Sequence, residues 1–322
     1  MPTARQHIVD FHNPGFYHCI SRCVRRAYLC GQDPVTQQSF DHRKHWIEQR
    51  IHNLSSIFAA DIYGYAVMSN HYHLVVHMDP QRPLQWSDEE VAQRWLLLYP
   101  GKEKHQELRF NMILADKVKL KTYRERLGNL SWLMAAINEP LARRSNKEDF
   151  CTGRFWEGRF KSQALLDEGA ILACLAYVDL NPIRAGLTEK LEDSLHTSIR
   201  YRLQQIKMAS RGSNPCLDQP LPPVFQSEKL PLLSTSLKDY LRLVEWTGQA
   251  ITHPDKAVIP KDIIPLFDRL NIHPDRWIPQ VGHSPSRFYR AIGSVKSLRR
   301  RAKQLSQYWM KGIRAASILF NA

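Results

Sequence analysis

Apolar and polar positions along the 322-residue chain alternate between two periods. Residues 15–23, GFYHCISRC, are short, aromatic and bounded by Pro14-Gly15, which predicts a strand. Over 37–58, Phe40, Trp46, Ile47, Ile51, Leu54 and Phe58 recur at mostly helical spacing. DIYGYAVM and HYHLVVHM then flank Ser69-Asn70, a two-residue connection whose Asn tolerates positive φ, so a β-hairpin is expected. Residues 87–147 read as helix, broken near Pro100-Gly101 and Gly128-Asn129, and GRFKSQALL (158–166) as another strand. Asp167 is placed to cap the helix EGAILACLAYVDL, which ends around Asn181 because Pro182 disfavours helical geometry in the residue before it.

The order βαβ-β-α-βα predicts an α+β fold: a ferredoxin-like, four-stranded antiparallel sheet with helices on one face, enlarged by the helical layer of 87–147. Pro, Ser and Gly concentrate in 209–231, which reads as a linker. The chain thus divides into a domain over 1–205, a linker over 206–235 and a basic helical region over 236–322. In the last part, Ser236 precedes LKDYLRLVEWTGQAI, and SVKSLRRRAKQLSQYWMKGI places Val295, Leu298, Ala302, Leu305 and Trp309 on one stripe. Arg299, Arg300 and Lys303 point largely away from that stripe.

Composition narrows the function. The longest apolar run, Ala170 to Val178, is too short to span a bilayer, and the N-terminus has no apolar segment behind a basic start. A soluble, cytoplasmic protein is expected. The six cysteines form no CxxC pair, so reduced thiols are expected rather than a disulfide framework or a structural zinc site, with Cys19 and Cys23 as sheet residues. Lys and Arg number 45 against 31 Asp and Glu, a formal net charge of +14, and residues 276–322 hold ten basic residues and no acidic one. That imbalance points to a polyanion, hence nucleoid association, rather than to a membrane surface.

His71 and His73 stand one residue apart in a strand of Val, Leu and Tyr, so both imidazoles leave the same face and can converge on one point. Taken alone, the pair suits a core or surface role as well as a metal site. His77 shares that face but lies too far along the strand to join them. Tyr177 and Asn181 are at i and i+4 of a helix that is otherwise apolar, and Asn181 is our candidate for a third ligand. A core tyrosine followed by a pre-proline cap accounts for these two residues equally.

With HYH in a strand and AYVDLNPIRAGL (176–187) in a late helix, the chain resembles the HUH single-strand endonucleases with one tyrosine. It is most similar to the REP-associated tyrosine transposases, in which YHCISR, MSNHYHLVV and GRFWEGRFKS have counterparts. The resemblance covers about residues 15–190. It implies that His71, His73 and Asn181 bind a divalent metal and that Tyr177 attacks a phosphodiester, taking the 5′ phosphate and releasing a 3′-OH. Neutral ligands leave the ion its full charge, and an amide oxygen with phosphate oxygens favours Mg²⁺ or Mn²⁺, although two histidines also suit Zn²⁺. The partners implied are single-stranded DNA and DNA hairpins, and a monomer and a homodimer both fit.

Arg154, Arg159 and Lys161, interleaved with Phe155, Trp156 and Phe160, are the expected phosphate contacts, with Trp156 as a stacking platform or a core residue. Arg299, Arg300 and Lys303 are the expected contacts to a duplex or hairpin stem. Lys117, Lys119, Lys121, Arg124 and Arg126 read as a solvated helix face. Because Asn181 sits at a helix end, the Tyr177 ring is expected to point away from the metal until DNA arrives. Three readings are compatible with these residues: a nickase and strand transferase, a hairpin-binding protein that no longer cuts, and a two-histidine metal hydrolase with a water nucleophile.

Overall fold

Alternation along β3 (His71–Met78) decides the layering of the molecule. His71, His73, Val75 and His77 face one way, and Tyr72, Leu74, Val76 and Met78 the other. The computed structural model describes residues 7–24, 30–31, 37–210, 216–226, 232–281 and 290–320. It is a mixed α+β structure in which β1 (Gly15–Arg22), β2 (Ala60–Val67), β3 and β4 (Lys161–Leu165) form antiparallel pairs in the order β2-β3-β1-β4. The β2–β3 hairpin closes at Met68 and His71 around Ser69-Asn70 as expected. Neither loop residue takes a positive φ, however. The Asn70 side chain instead accepts from His71, 2.6 Å away.

The Tyr72 face is covered by α1 (His42–Ser55) and α5 (Leu130–Glu148), which pack on each other. Tyr72 donates to Asn138 of α5 at 2.8 Å, and Tyr65 donates to Glu48 of α1 at 2.5 Å. Helices α2 (Asp88–Leu98), α3 (Gln106–Ala115) and α4 (Lys117–Leu127) extend this layer. The chain breaks between α3 and α4 at Asp116, a stop missed in the sequence, where the aspartate caps α4 by accepting from the Lys119 N–H. Lys117, Lys119 and Lys121 are exposed, but Arg124 and Arg126 depart from the solvated-face expectation. Arg124 reaches Asp88 at 2.7 Å, and the Arg126 guanidinium lies 4.2 Å from the Trp132 ring centroid.

The opposite, His-bearing face is covered by α6 (Glu168–Asp179), capped by Asp167. Gly64 of β2 makes that packing close, because a Cβ there would fall 2.6 Å from Leu175 of α6. The short helix α7 (Asn181–Arg184) follows, then α8 (Ser198–Ala209). The described part of the expected linker is built into the body: Leu221 and Phe225 are buried, and Phe225 pairs with Ile62 along the outer edge of β2. That pairing blunts an edge strand.

The C-terminal region is not purely helical, as had been expected. Besides α9 (Leu237–Thr252), α10 (Ile264–Arg269), α11 (Pro274–Val281), α12 (Val295–Gln304) and α13 (Ile313–Leu319), it contributes β5 (Ala291–Ile292), a fifth strand parallel to β4. Helix α12 also ends nine residues before the expected limit of 313, at Gln304. Ser306 adopts φ 53°, the Gln307 N–H returns to the Ala302 carbonyl and the Ser306 N–H to that of Lys303. This left-handed stop terminates the helix and leaves Trp309 exposed, off the buried stripe of Leu298 and Ala302.

Candidate active site

The sheet register assembles the site. On the α6 face, β3 presents His71 and His73, opposite Arg22 and Ile20 of β1, and β4 presents Lys161 and Gln163 opposite Ile20 and His18. The imidazole rings of His71 and His73 meet edge to face, with centroids 4.9 Å apart. Helix α6 lays Tyr177 against His73 and His18: its ring centroid is 5.6 Å from that of His73 and 6.1 Å from that of His18. The tyrosine is therefore docked against the histidines rather than turned away from them, as had been expected.

His18 is the residue that sequence reasoning missed. Its Nε2 lies 2.9 Å from His73 Nδ1, and its Nδ1 lies 3.3 Å from Gln163 Oε1. One protonation pattern satisfies the whole chain: His18 Nδ1–H donates to Gln163, and His73 Nδ1–H donates to His18 Nε2. His73 Nε2 is then left with its lone pair, and that atom is buried with no hydrogen-bond partner. His71, donating from Nδ1 to Asn70, likewise keeps a free lone pair on Nε2. A second hydrogen bond that fixes the tautomer of a ligating histidine is the usual companion of a metal site.

Burial holds the imidazoles neutral. His18 and His71 are both pushed down to about 4, and His73 well below the ordinary histidine value. Desolvation is the main cause in each; nearby Arg22 and Arg184 also depress His71, and His18, His71 and Arg184 depress His73. The setting is thus positive. Asp179, two residues from Tyr177, turns its carboxylate the other way, onto Ser198, the Ile199 N–H and Tyr240.

Asn181 begins α7, is 6% exposed, and has its side-chain nitrogen buried without a partner. Amide oxygen and nitrogen exchange by a flip, so the oxygen can equally occupy that position. Among the described residues, no three His, Cys, Asp or Glu side chains form a metal-binding group. His77 is engaged elsewhere, with Asp61 at 3.2 Å, where Arg82 also pairs.

The expected DNA contacts are dispersed. Arg154, Arg159 and Lys161 are exposed, and Lys161 lies on the site face of the sheet. Trp156 is half-buried, donates from its indole to the Asn138 carbonyl at 2.9 Å and abuts Tyr72, so its ring is committed to the fold on one side. Arg299, Arg300 and Lys303 are exposed along α12. Among the described residues no cysteine is in a disulfide and no helix is long and apolar enough to cross a membrane.

No protein-family model matches the chain, and no curated protein matches it. Among solved structures, a REP-associated tyrosine transposase bound to a REP hairpin is similar over 73% of this chain and 97% of its own, with 12% sequence identity and a TM-score of 0.39. An overlap of that quality is a distant likeness and fixes neither a fold family nor a chemistry.

Proposed function

We propose that the chain is a metal-dependent nickase and strand transferase of the HUH type, acting on single-stranded DNA beside hairpins with Tyr177 as nucleophile. The observation that carries this reading is the docking of the Tyr177 ring 5.6 Å from that of His73, a neutral imidazole whose Nε2 is buried without a hydrogen-bond partner among the described residues and whose ring meets that of His71. The ferredoxin-like arrangement is supported by the order β2-β3-β1-β4 and by α1 and α5 lying together on one face.

His71 and His73 would hold the ion through Nε2, with the Asn181 amide oxygen as third protein ligand. The donor set fits Mg²⁺ or Mn²⁺ with phosphate oxygens completing the shell. When bound, the ion polarises a phosphate oxygen and offsets the charge that builds in the transition state. Tyr177 supplies the attacking phenol oxygen. Its O–P bond forms as the bond from phosphorus to the 3′ oxygen breaks, and the phenolic proton is balanced by protonation of the departing 3′-OH. A 3′-OH attacking the phosphotyrosine reverses the step, so strands are exchanged without ATP. Residues 1–205 form the catalytic part in this reading, with Arg154, Arg159, Lys161 and Trp156 along the single strand. Residues 236–322 add a stem contact through Arg299, Arg300 and Lys303.

The test is incubation of a labelled hairpin oligonucleotide bearing single-stranded flanks with Mg²⁺ or Mn²⁺, wild type against Tyr177→Phe. A denaturation-resistant adduct in the wild type alone is expected. Cleavage retained by Tyr177→Phe would mean a water nucleophile, and binding without cleavage by either protein would mean a hairpin-binding protein.

A further inference from the structure

We infer that Arg184 binds the phosphate that Tyr177 attacks, leaving the tyrosine ring to do so; the inference rests on the function proposed above. In the free protein the Arg184 guanidinium carbon lies 3.8 Å from the Tyr177 ring centroid. The residue is half-buried and its Nε has no hydrogen-bond partner among the described residues. Among the described residues no carboxylate pairs with it: of the two acidic residues five positions away in the chain, Glu189 makes no ion pair with it and Asp179 is occupied by Ser198, Ile199 and Tyr240.

A partly desolvated guanidinium without an anion is unfavourable, and the face of a tyrosine compensates only part of that loss. The planar fork of N–H donors is left unfilled, and its shape matches two oxygens of a phosphate. Two more basic residues, Arg22 and Lys161, stand on the same face of the sheet, opposite His71 and beside Ile20. A diester phosphate attacked by Tyr177 would then meet the Arg184 guanidinium, which already lies against the Tyr177 ring.

The placement follows from the break after α6. Leu180 bonds back to Ala176 and Arg184 back to Leu180, so the helical path continues through the turn. Arg184, seven residues after Tyr177, therefore returns to the same side two turns later.

The experiment separates this role from simple packing. In a Tyr177→Phe background and in EDTA, affinity is measured for a hairpin oligonucleotide whose single-stranded flank phosphates are replaced one at a time by neutral methylphosphonate. With Arg184 present, one position is expected to weaken binding by about 10- to 100-fold. In Arg184→Met the penalty at that position should fall below about 3-fold. Arg184→Lys, which keeps the charge but loses the fork, should give an intermediate penalty, and it serves if Arg184→Met does not fold. An unchanged penalty in the variants, with wild type still forming the Tyr177 adduct, overturns the role of Arg184 alone. Absence of the adduct in wild type overturns the parent reading and this one with it.

Discussion

His18 acts through another side chain: it touches His73, and it sets which nitrogen of His73 is bare. His18→Phe removes the acceptor for His73 Nδ1–H, and Mn²⁺ affinity measured by calorimetry should fall by about 10- to 100-fold. His18→Gln, which can accept through its amide oxygen, should recover part of that loss. An unchanged affinity in His18→Phe would mean that the hydrogen bond does not orient His73. The His71–His73 pair was legible because spacing alone puts i and i+2 on one face. His18 was not, because its contact with His73 is diagonal across two strands and depends on the β1–β3 register. Arg184 was visible as a residue in NPIRAG, but its stacking on Tyr177 depends on how the chain passes Pro182.

Helix α6 is held by an acid that faces away from His73. Burial raises the Asp179 carboxyl above the ordinary aspartate value despite hydrogen bonds from Ser198, Tyr240 and the Ile199 N–H. Through it α6, which carries the proposed nucleophile, is tied to the start of α8 and, by the 2.5 Å bond from Tyr240, to α9 of the C-terminal region. Tyr240→Phe leaves a buried carboxylate one donor short. It should lower stability by about 1–3 kcal/mol in urea unfolding and slow adduct formation while DNA affinity holds. The cap at Asp167 was readable from residue type, whereas Asn181, expected to leave helical geometry before Pro182, instead opens α7. The end of α12 at Ser306 and the strand at Ala291–Ile292 were not readable. Serine does not announce a left-handed stop, and a two-residue strand exists only because β4 is there to pair with it.

Charge and protonation act on the molecule as a whole. Replacing Arg299, Arg300 and Lys303 by Ala should weaken DNA binding evenly across sequences and flatten its salt dependence, while leaving cleavage of a bound site intact. An unchanged salt slope would remove α12 as a contact. Acid should destabilise the metal-free protein through its buried imidazoles. His18 and His71 sit near 4 when folded, and His73 is also depressed, against about 6.5 when unfolded. The unfolded chain therefore binds more protons below that value, and stability is lost as pH falls from about 6.5 towards 4. His18→Phe should shrink this loss in denaturation curves taken across that window.

By itself the sequence determined the periodicities, the hairpin, the cap at Asp167, the basic C-terminal stretch and the one-face spacing of His71 and His73. Each depends on neighbours within a few residues, whose geometry chain connectivity already restricts. Only the tertiary structure decided that α6 covers the histidine face, that His18 and Gln163 stand behind His73, and that Arg184 rests on Tyr177 with no carboxylate paired to it among the described residues. Those contacts join residues brought together by strand register and helix packing, which no local pattern encodes.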